Sequence, residues 1–233
     1  MTRTNRVAPT GEIAALPFRG LFMGNRGVLH DEAGHEHGRV RRPWNLTAWL
    51  ICATEFRGRK RTLMAPNRYT ELFFLDEVHA LAAGHRPCFE CRRAAYRAFL
   101  AAAGHDAAEA LDGALHAERL TGEPGMRRAS RAPRRHPRPA AGLPDGAMVL
   151  VGATVFARYD AGFVAWSRAA PSSYLGGYLA RLDGDAERDA DALRASLAAD
   201  GALSVLTPPT TLTALHGGYA PVWHDSMAEA ARV

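Results

Sequence analysis

NRYTELFFLDEVHALAAGHRPCFECRR occupies residues 67–93 and holds the strongest local signals in the chain. Its first third, NRYTELFFL (67–75), is rich in aromatic and aliphatic residues and predicts a strand. Asp76 is a good N-cap, so DEVHALAAG (76–84) predicts a short helix, with Gly84 as its C-terminal stop. From Cys88 to Ala103 the pattern is helical again. Cys91, Ala95, Phe99 and Ala102 fall on one stripe, and Arg92, Arg93 and Arg97 lie off it. A strand, a capped helix, a Cys-x-x-Cys turn and a second helix in close succession point to an α+β fold.

Moving outward, TAWLICATEF (47–56) predicts another strand, with Cys52 in its middle. RGRKR (57–61) reads as a solvated hairpin turn, and FRGLFMGNRGVLHDEAG (18–34) as short extended pieces with tight turns. HDAAEALDGALHAERL (105–120) continues as helix, weakened by Gly113. Residues 122–146 carry five prolines and six arginines with little apolar content, and predict a linker or long exposed loop. Beyond it, 147–167 predict two strands around a turn at Asp160-Ala161-Gly162. A polar helix or disordered segment (185–201), a strand (202–209) and a short helix (210–218) follow. The expected organisation is an α+β metal-binding domain over 1–121, the linker over 122–146, and a small β-rich unit over 147–233. The first unit would be a small mixed sheet with helices around a zinc knuckle.

The bulk numbers bound the function. No apolar run approaches the roughly 20 residues that span a bilayer, and the N-terminus lacks a signal-peptide pattern, so a cytoplasmic protein with no membrane association is expected. The net charge of +5 comes mostly from arginine, and nucleic acid is the commonest partner of such a surface. Three cysteines in a reducing compartment favour metal binding or reactivity over disulfides.

A Cys-x-x-Cys pair at a loop-to-helix junction serves redox chemistry, holds zinc, or simply packs. The βαβ pattern of a redox site is missing, and Pro87 stiffens the entry to Cys88, so zinc ranks first. Cys52 is the third cysteine. A fourth ligand would have to be drawn from His30, Asp31, Glu55, His79, His85 and His116.

YTELFFLDEVHALAAGHRPCFECR (69–92) resembles the zinc-binding N-terminal module of Ada-type methyl phosphotriester repair proteins. The resemblance rests on the Phe73-Phe74 strand, the Asp76–Ala83 helix, and the run Gly84, His85, Arg86, Pro87, Cys88, Cys91, Arg92. It implies that zinc is held by Cys52, Cys88, Cys91 and a fourth ligand. It also implies that Cys52 is the catalytic nucleophile, taking a methyl group from a DNA phosphate. Where the family has its second upstream cysteine, this chain has Phe56. On a nucleic-acid reading, with DNA favoured, Arg59, Arg61, Arg86, Arg92 and Arg93 would contact phosphates, whether or not a reaction is catalysed. A rival reading is a zinc hydrolase of the deaminase type, with Cys88, Cys91 and His116 as ligands and Glu118 moving protons. Trp166, Tyr174, Tyr178, Tyr219 and Trp223 read as core residues more readily than as base-stacking platforms. No phosphate-binding loop or nucleophile elbow is present.

Overall fold

The computed structural model describes residues 3–60, 62–122, 131–166, 168 and 177–233. The chain is α+β, with two sheets. The first is assembled from β1 (Arg6–Val7), β2 (Ile13–Ala14), β3 (Phe22–Asn25), β4 (Leu50–Ala53), β5 (Leu72–Phe74) and β6 (Arg86–Pro87) in the order β2-β1-β5-β3-β4-β6. Around it lie α1 (Glu32–His37), α2 (Glu77–Ala82), α3 (Arg93–Ala102) and α4 (Ala108–Arg119). The second sheet contains β7 (His136–Pro139), β8 (Met148–Val151), β9 (Thr154–Tyr159), β10 (Gly162–Trp166) and β11 (Ala202–Val205), in the order β10-β9-β8-β11-β7. Helices α5 (Gly184–Ala198) and α6 (Pro209–His216) complete the fold, and a 3-10 turn covers Asp225–Glu229. No helix among the described residues is long and apolar enough to cross a membrane.

The central run behaves as its residues dictate. Asp76 Oδ1 accepts a hydrogen bond from His79 N–H at 2.9 Å, capping α2. Gly84 ends the turn with φ of 80°, a conformation that costs an L-residue. Every residue of α2 is buried, because the helix packs on β5 of one sheet and β8 of the other. The strands are shorter than the aromatic-aliphatic runs that announce them: 47–56 contracts to Leu50–Ala53, and 67–75 to Leu72–Phe74. The helix expected from Cys88 begins only at Arg93, and the two cysteines sit in the turn before it.

Two further expectations are corrected. Residues 136–139 of the supposed linker form β7, an edge strand antiparallel to β11. Its two prolines are tolerated there because an edge strand has one side free of ladder bonds. Residues 123–130 of the same stretch lie outside the described residues. The run 147–167 holds three strands, since a turn at Gly152-Ala153 breaks what reads as one apolar segment. Gly152 has φ of 56° there.

The C-terminal part is not packed apart from the rest. Ala214, Leu215 and Tyr219 join Leu29, Ile51, Phe74, Leu81, Phe99 and Leu111 in one apolar cluster, and α6 lies against α3 and α4.

Candidate metal centre

Strand alternation decides what faces the site. In β3, β4 and β5, Gly24, Ile51, Leu72 and Phe74 turn toward the core or its packing. The alternate residues Met23, Asn25, Leu50, Cys52, Glu71 and Phe73 line a cleft of about 410 Å³ on the other face. Gly24 is obligatory for this layout, because a Cβ there would meet Leu50 O at 1.9 Å.

The Cys-x-x-Cys turn is laid against Cys52 by parallel pairing of β4 with β6, in which Ile51 opposes Pro87. Cys88 N–H then donates to Ile51 O at 2.9 Å. The Sγ atoms of Cys52, Cys88 and Cys91 all lie within 4.8 Å of one another. Sulfurs around one tetrahedral zinc stand about 3.8 Å apart, so small side-chain adjustments suffice. The trio is close enough to hold a metal ion. Two backbone amides point at the sulfurs as they do in metal knuckles: Ala53 N–H at Cys91 Sγ and Glu90 N–H at Cys88 Sγ, each at 3.4 Å. Cys52 and Cys88 are buried and Cys91 half-buried.

Three sulfurs this close cannot all carry unshared negative charge. Hydrogen bonds to Cys88 and Cys91, and then burial, push the Cys52 thiol well up. Cys88 is the acceptor of the trio, and hydrogen bonds from Cys52 and Cys91 pull it down. A divalent cation offsets the same charge more effectively than shared protons.

None of the fourth-ligand candidates joins the trio. His30 hydrogen-bonds Thr70 Oγ1 at 2.6 Å and Ala65 O at 3.2 Å, and Asp31 pairs with Arg41. Glu55 is exposed, on the rim of a different hollow. His79 is bonded to Asp76 and packs against Trp166 and Tyr178. His85 lies between Trp49 and Phe74, and His116 packs on Trp44. Among the described residues the ligand cluster is the three cysteines, with the cleft beside it.

The deaminase-type arrangement is therefore not assembled. His116 faces the guanidinium groups of Arg119 and Arg131. Glu118 caps α6, accepting from Thr210 N–H at 2.9 Å and Thr210 Oγ1–H at 2.8 Å. The His-x-Glu spacing turns the two side chains to different tasks on α4.

The arginines also divide. Arg86 is buried in a two-pronged pair with Asp112, at 2.9 and 2.7 Å. Arg92 pairs with buried Glu77 and lies over the Phe22 ring. Both guanidinium groups are turned inward, because a buried cation needs a carboxylate. Arg59 stands at the cleft rim, paired with Glu90 at 2.5 Å, and Arg93 is exposed over Phe89. Arg61 lies outside the described residues, as does Tyr174. Trp166, Tyr178 and Tyr219 are core residues.

Sequence reasoning missed Glu71 and Asn25. Glu71 is 2% exposed, and its Oε2 accepts from Met64 N–H at 2.7 Å on the cleft wall. The signal was present: Tyr69, Glu71 and Phe73 alternate with the buried Thr70, Leu72 and Phe74. No protein-family model, curated protein or solved structure matches the chain.

Proposed function

We propose that Cys52, Cys88 and Cys91 hold one zinc ion and that the cleft beside them admits an alkylated nucleic-acid phosphate, as in the Ada-type modules that residues 69–92 resemble. The observation that carries this reading is the meeting of a strand cysteine and a Cys-x-x-Cys turn on the floor of a cleft, with no fourth side-chain ligand in their cluster among the described residues. Three thiolates suit zinc, and an incomplete ligand set is the mark of a reactive rather than a structural site. Zinc would supply thiolates that stay deprotonated and nucleophilic at neutral pH.

Cys52 is the nucleophile of this reading. Its sulfur attacks the methyl carbon of a methyl phosphotriester, the methyl C–O bond breaks, and the electron pair leaves on the phosphate oxygen. The products are S-methylcysteine and an ordinary phosphodiester anion. The cleft suits a neutral triester better than the diester, whose negative charge would meet the cysteines and Glu71. Product and site then repel, which favours release. Arg59, at the rim, is the cation best placed to meet a flanking phosphate once it parts from Glu90.

Metal analysis of the wild type, Cys52→Ser and Cys88→Ser tests the centre. One zinc in the wild type, lost in both variants, is expected. Incubation with methyl-phosphotriester DNA followed by peptide mass measurement tests the transfer, with one methyl expected on the Cys52 peptide. A wild type without zinc rejects the centre. Zinc with no methyl on any cysteine rejects the transfer and leaves the trio a structural role.

A further inference from the structure

A second cavity, independent of the thiol cleft, is enclosed by Arg26, Arg119, Arg131, Arg134, Trp49 and the 9–11 loop, and has a volume of about 50 Å³. Its chemistry is lopsided. Arg26 is 1% exposed, Arg119 4% and Arg131 9%, yet among the described residues none of the four arginines makes an ion pair. Asp112, a buried carboxylate whose charge reaches Arg119, is already held by both prongs of Arg86. Arg26 and Arg119 both lie on the Trp49 ring, 3.8 and 3.9 Å from its centroid. Two guanidinium groups are thus gathered around one indole in the interior.

Backbone carbonyls satisfy only part of this. Arg26 donates through Nη1 to Gly11 O at 3.0 Å and to Pro43 O at 3.3 Å, and through Nε to His85 Nε2 at 3.1 Å. Arg119 donates to Gly84 O at 2.8 Å and to Thr47 O. Arg26 Nη2 and Arg119 Nε are buried and hydrogen-bond to nothing among the described residues. His116 is overcommitted in the opposite sense. Its Nδ1 faces Arg119 at 2.9 Å and its Nε2 faces Arg131 at 3.3 Å, but a neutral imidazole has one lone pair. One of those contacts sets donor against donor.

Burial, then the neighbouring arginines, hold His85 well below its ordinary value and His116 at about 4, so neither ring adds charge. Burial lowers Arg26 to about 9. Two buried guanidinium nitrogens without an acceptor among the described residues cost stability unless something supplies acceptors and negative charge.

We propose that this cavity is a binding site for a small oxyanion, a phosphate group by class, held by Arg26 and Arg119 from inside and by Arg131 and Arg134 at its mouth. A cavity of this size holds several times the roughly 10–15 Å³ a water needs. It suits one phosphoryl group and is too small for an attached base. Phosphate fits better than a carboxylate, because it offers more acceptor oxygens and up to two charges to the four guanidinium groups. Inorganic phosphate and the terminal phosphate of a nucleic acid share this chemistry.

Calorimetric titration with inorganic phosphate, and melting in phosphate against chloride at equal ionic strength, read the site. Saturable binding and a raised Tm in phosphate are expected. Arg26→Gln should weaken binding about 10- to 100-fold, the worth of a charged hydrogen bond. Arg134→Gln, at an exposed position where folding is not at stake, should weaken it about two- to fivefold. A 5′-phosphorylated oligonucleotide binding more tightly than its 5′-hydroxyl twin assigns the site to nucleic-acid ends, and equal binding assigns it to the free ion. No heat and no Tm difference for the wild type overturns the proposal, as does unchanged phosphate affinity in Arg134→Gln.

Discussion

Glu77→Gln is the substitution whose cost the structure defines best. Glu77 is fully buried on α2 and accepts four hydrogen bonds: from Arg92 Nη1 at 2.6 Å, Arg92 Nη2 at 3.0 Å, Tyr219 Oη at 2.5 Å and Val222 N–H at 3.0 Å. Glutamine keeps the volume but removes the charge and turns an NH2 group toward donors. Arg92, whose side chain is 11% exposed, then has no carboxylate. Breaking a buried pair in this way costs about 3–5 kcal/mol. Arg92 retains a little water and its contact with the Phe22 ring at 4.3 Å, which places the loss near about 3 kcal/mol. For a chain of this length that lowers Tm by about 6–12 °C. Urea denaturation followed by circular dichroism and tryptophan fluorescence measures it. Asp191→Asn serves as control, since its pair with Arg194 is exposed and should move stability by less than about 0.5 kcal/mol. Adding Arg92→Met to Glu77→Gln should recover at least half of the loss. A Glu77→Gln protein within about 1 kcal/mol of the wild type would refute the buried-charge reasoning.

Glu118→Gln should leave the metal content unchanged and cost about 1 kcal/mol through the α6 cap, whereas Cys88→Ser should lose the metal; loss of metal in Glu118→Gln, read by elemental analysis, would restore a hydrolase-type site. Gly84→Ala should destabilise by about 2 kcal/mol or more, because the residue has φ of 80° and its Cβ would meet Arg119 Cδ at 2.7 Å, and an unchanged urea midpoint would contradict this. The pH response follows from His85 and His116, whose pKa values are depressed in the fold. The unfolded chain takes up their protons near the ordinary 6.5 while the folded chain does not, so stability is full above that pH and falls below it, for His116 down to about 4. Urea midpoints measured in chelator should drop between about pH 7 and about pH 5, and equal midpoints would count against neutral buried imidazoles. Asp76 adds its own loss only at lower pH. Burial raises it, but His79 and the His79 and His224 backbone amides more than offset this, leaving it below its ordinary 3.8.

The local elements were legible because their signals are local. Asp76 and Gly84 bracket α2 by capping and by left-handed geometry, and the apolar stripe of α3 is buried at Phe99. The cysteine trio was legible as a set of residue types, but its geometry depends on the β4–β6 pairing, a contact between segments 36 residues apart. The arginines misled for a related reason. Charge along a sequence does not say which cations find a buried carboxylate, and Arg86 and Arg92 find Asp112 and Glu77. His116 and Glu118 formed a motif only on paper, since residues two apart on a helix point about 200° apart around its axis. The strand at 136–139 was hidden by its prolines, which are tolerated only because β11 is its one partner.

Adjacent carboxylates at the start of α2 explain why the C-terminal part belongs to the support of the cysteine trio. Asp76 Oδ2 accepts from Tyr178 Oη–H and from His224 N–H, while Glu77 takes Tyr219, Val222 and Arg92. Arg92 immediately follows Cys91, so the exit of the Cys-x-x-Cys turn is pinned to the helix that receives the C-terminal segment. On its other side the same turn is pinned by Cys88 N–H to β4, the strand that carries Cys52. The spacing of the three sulfurs is thus fixed by two buried anchors, one in a sheet and one in a salt bridge whose carboxylate also accepts from Tyr219 and Val222 in the last quarter of the chain.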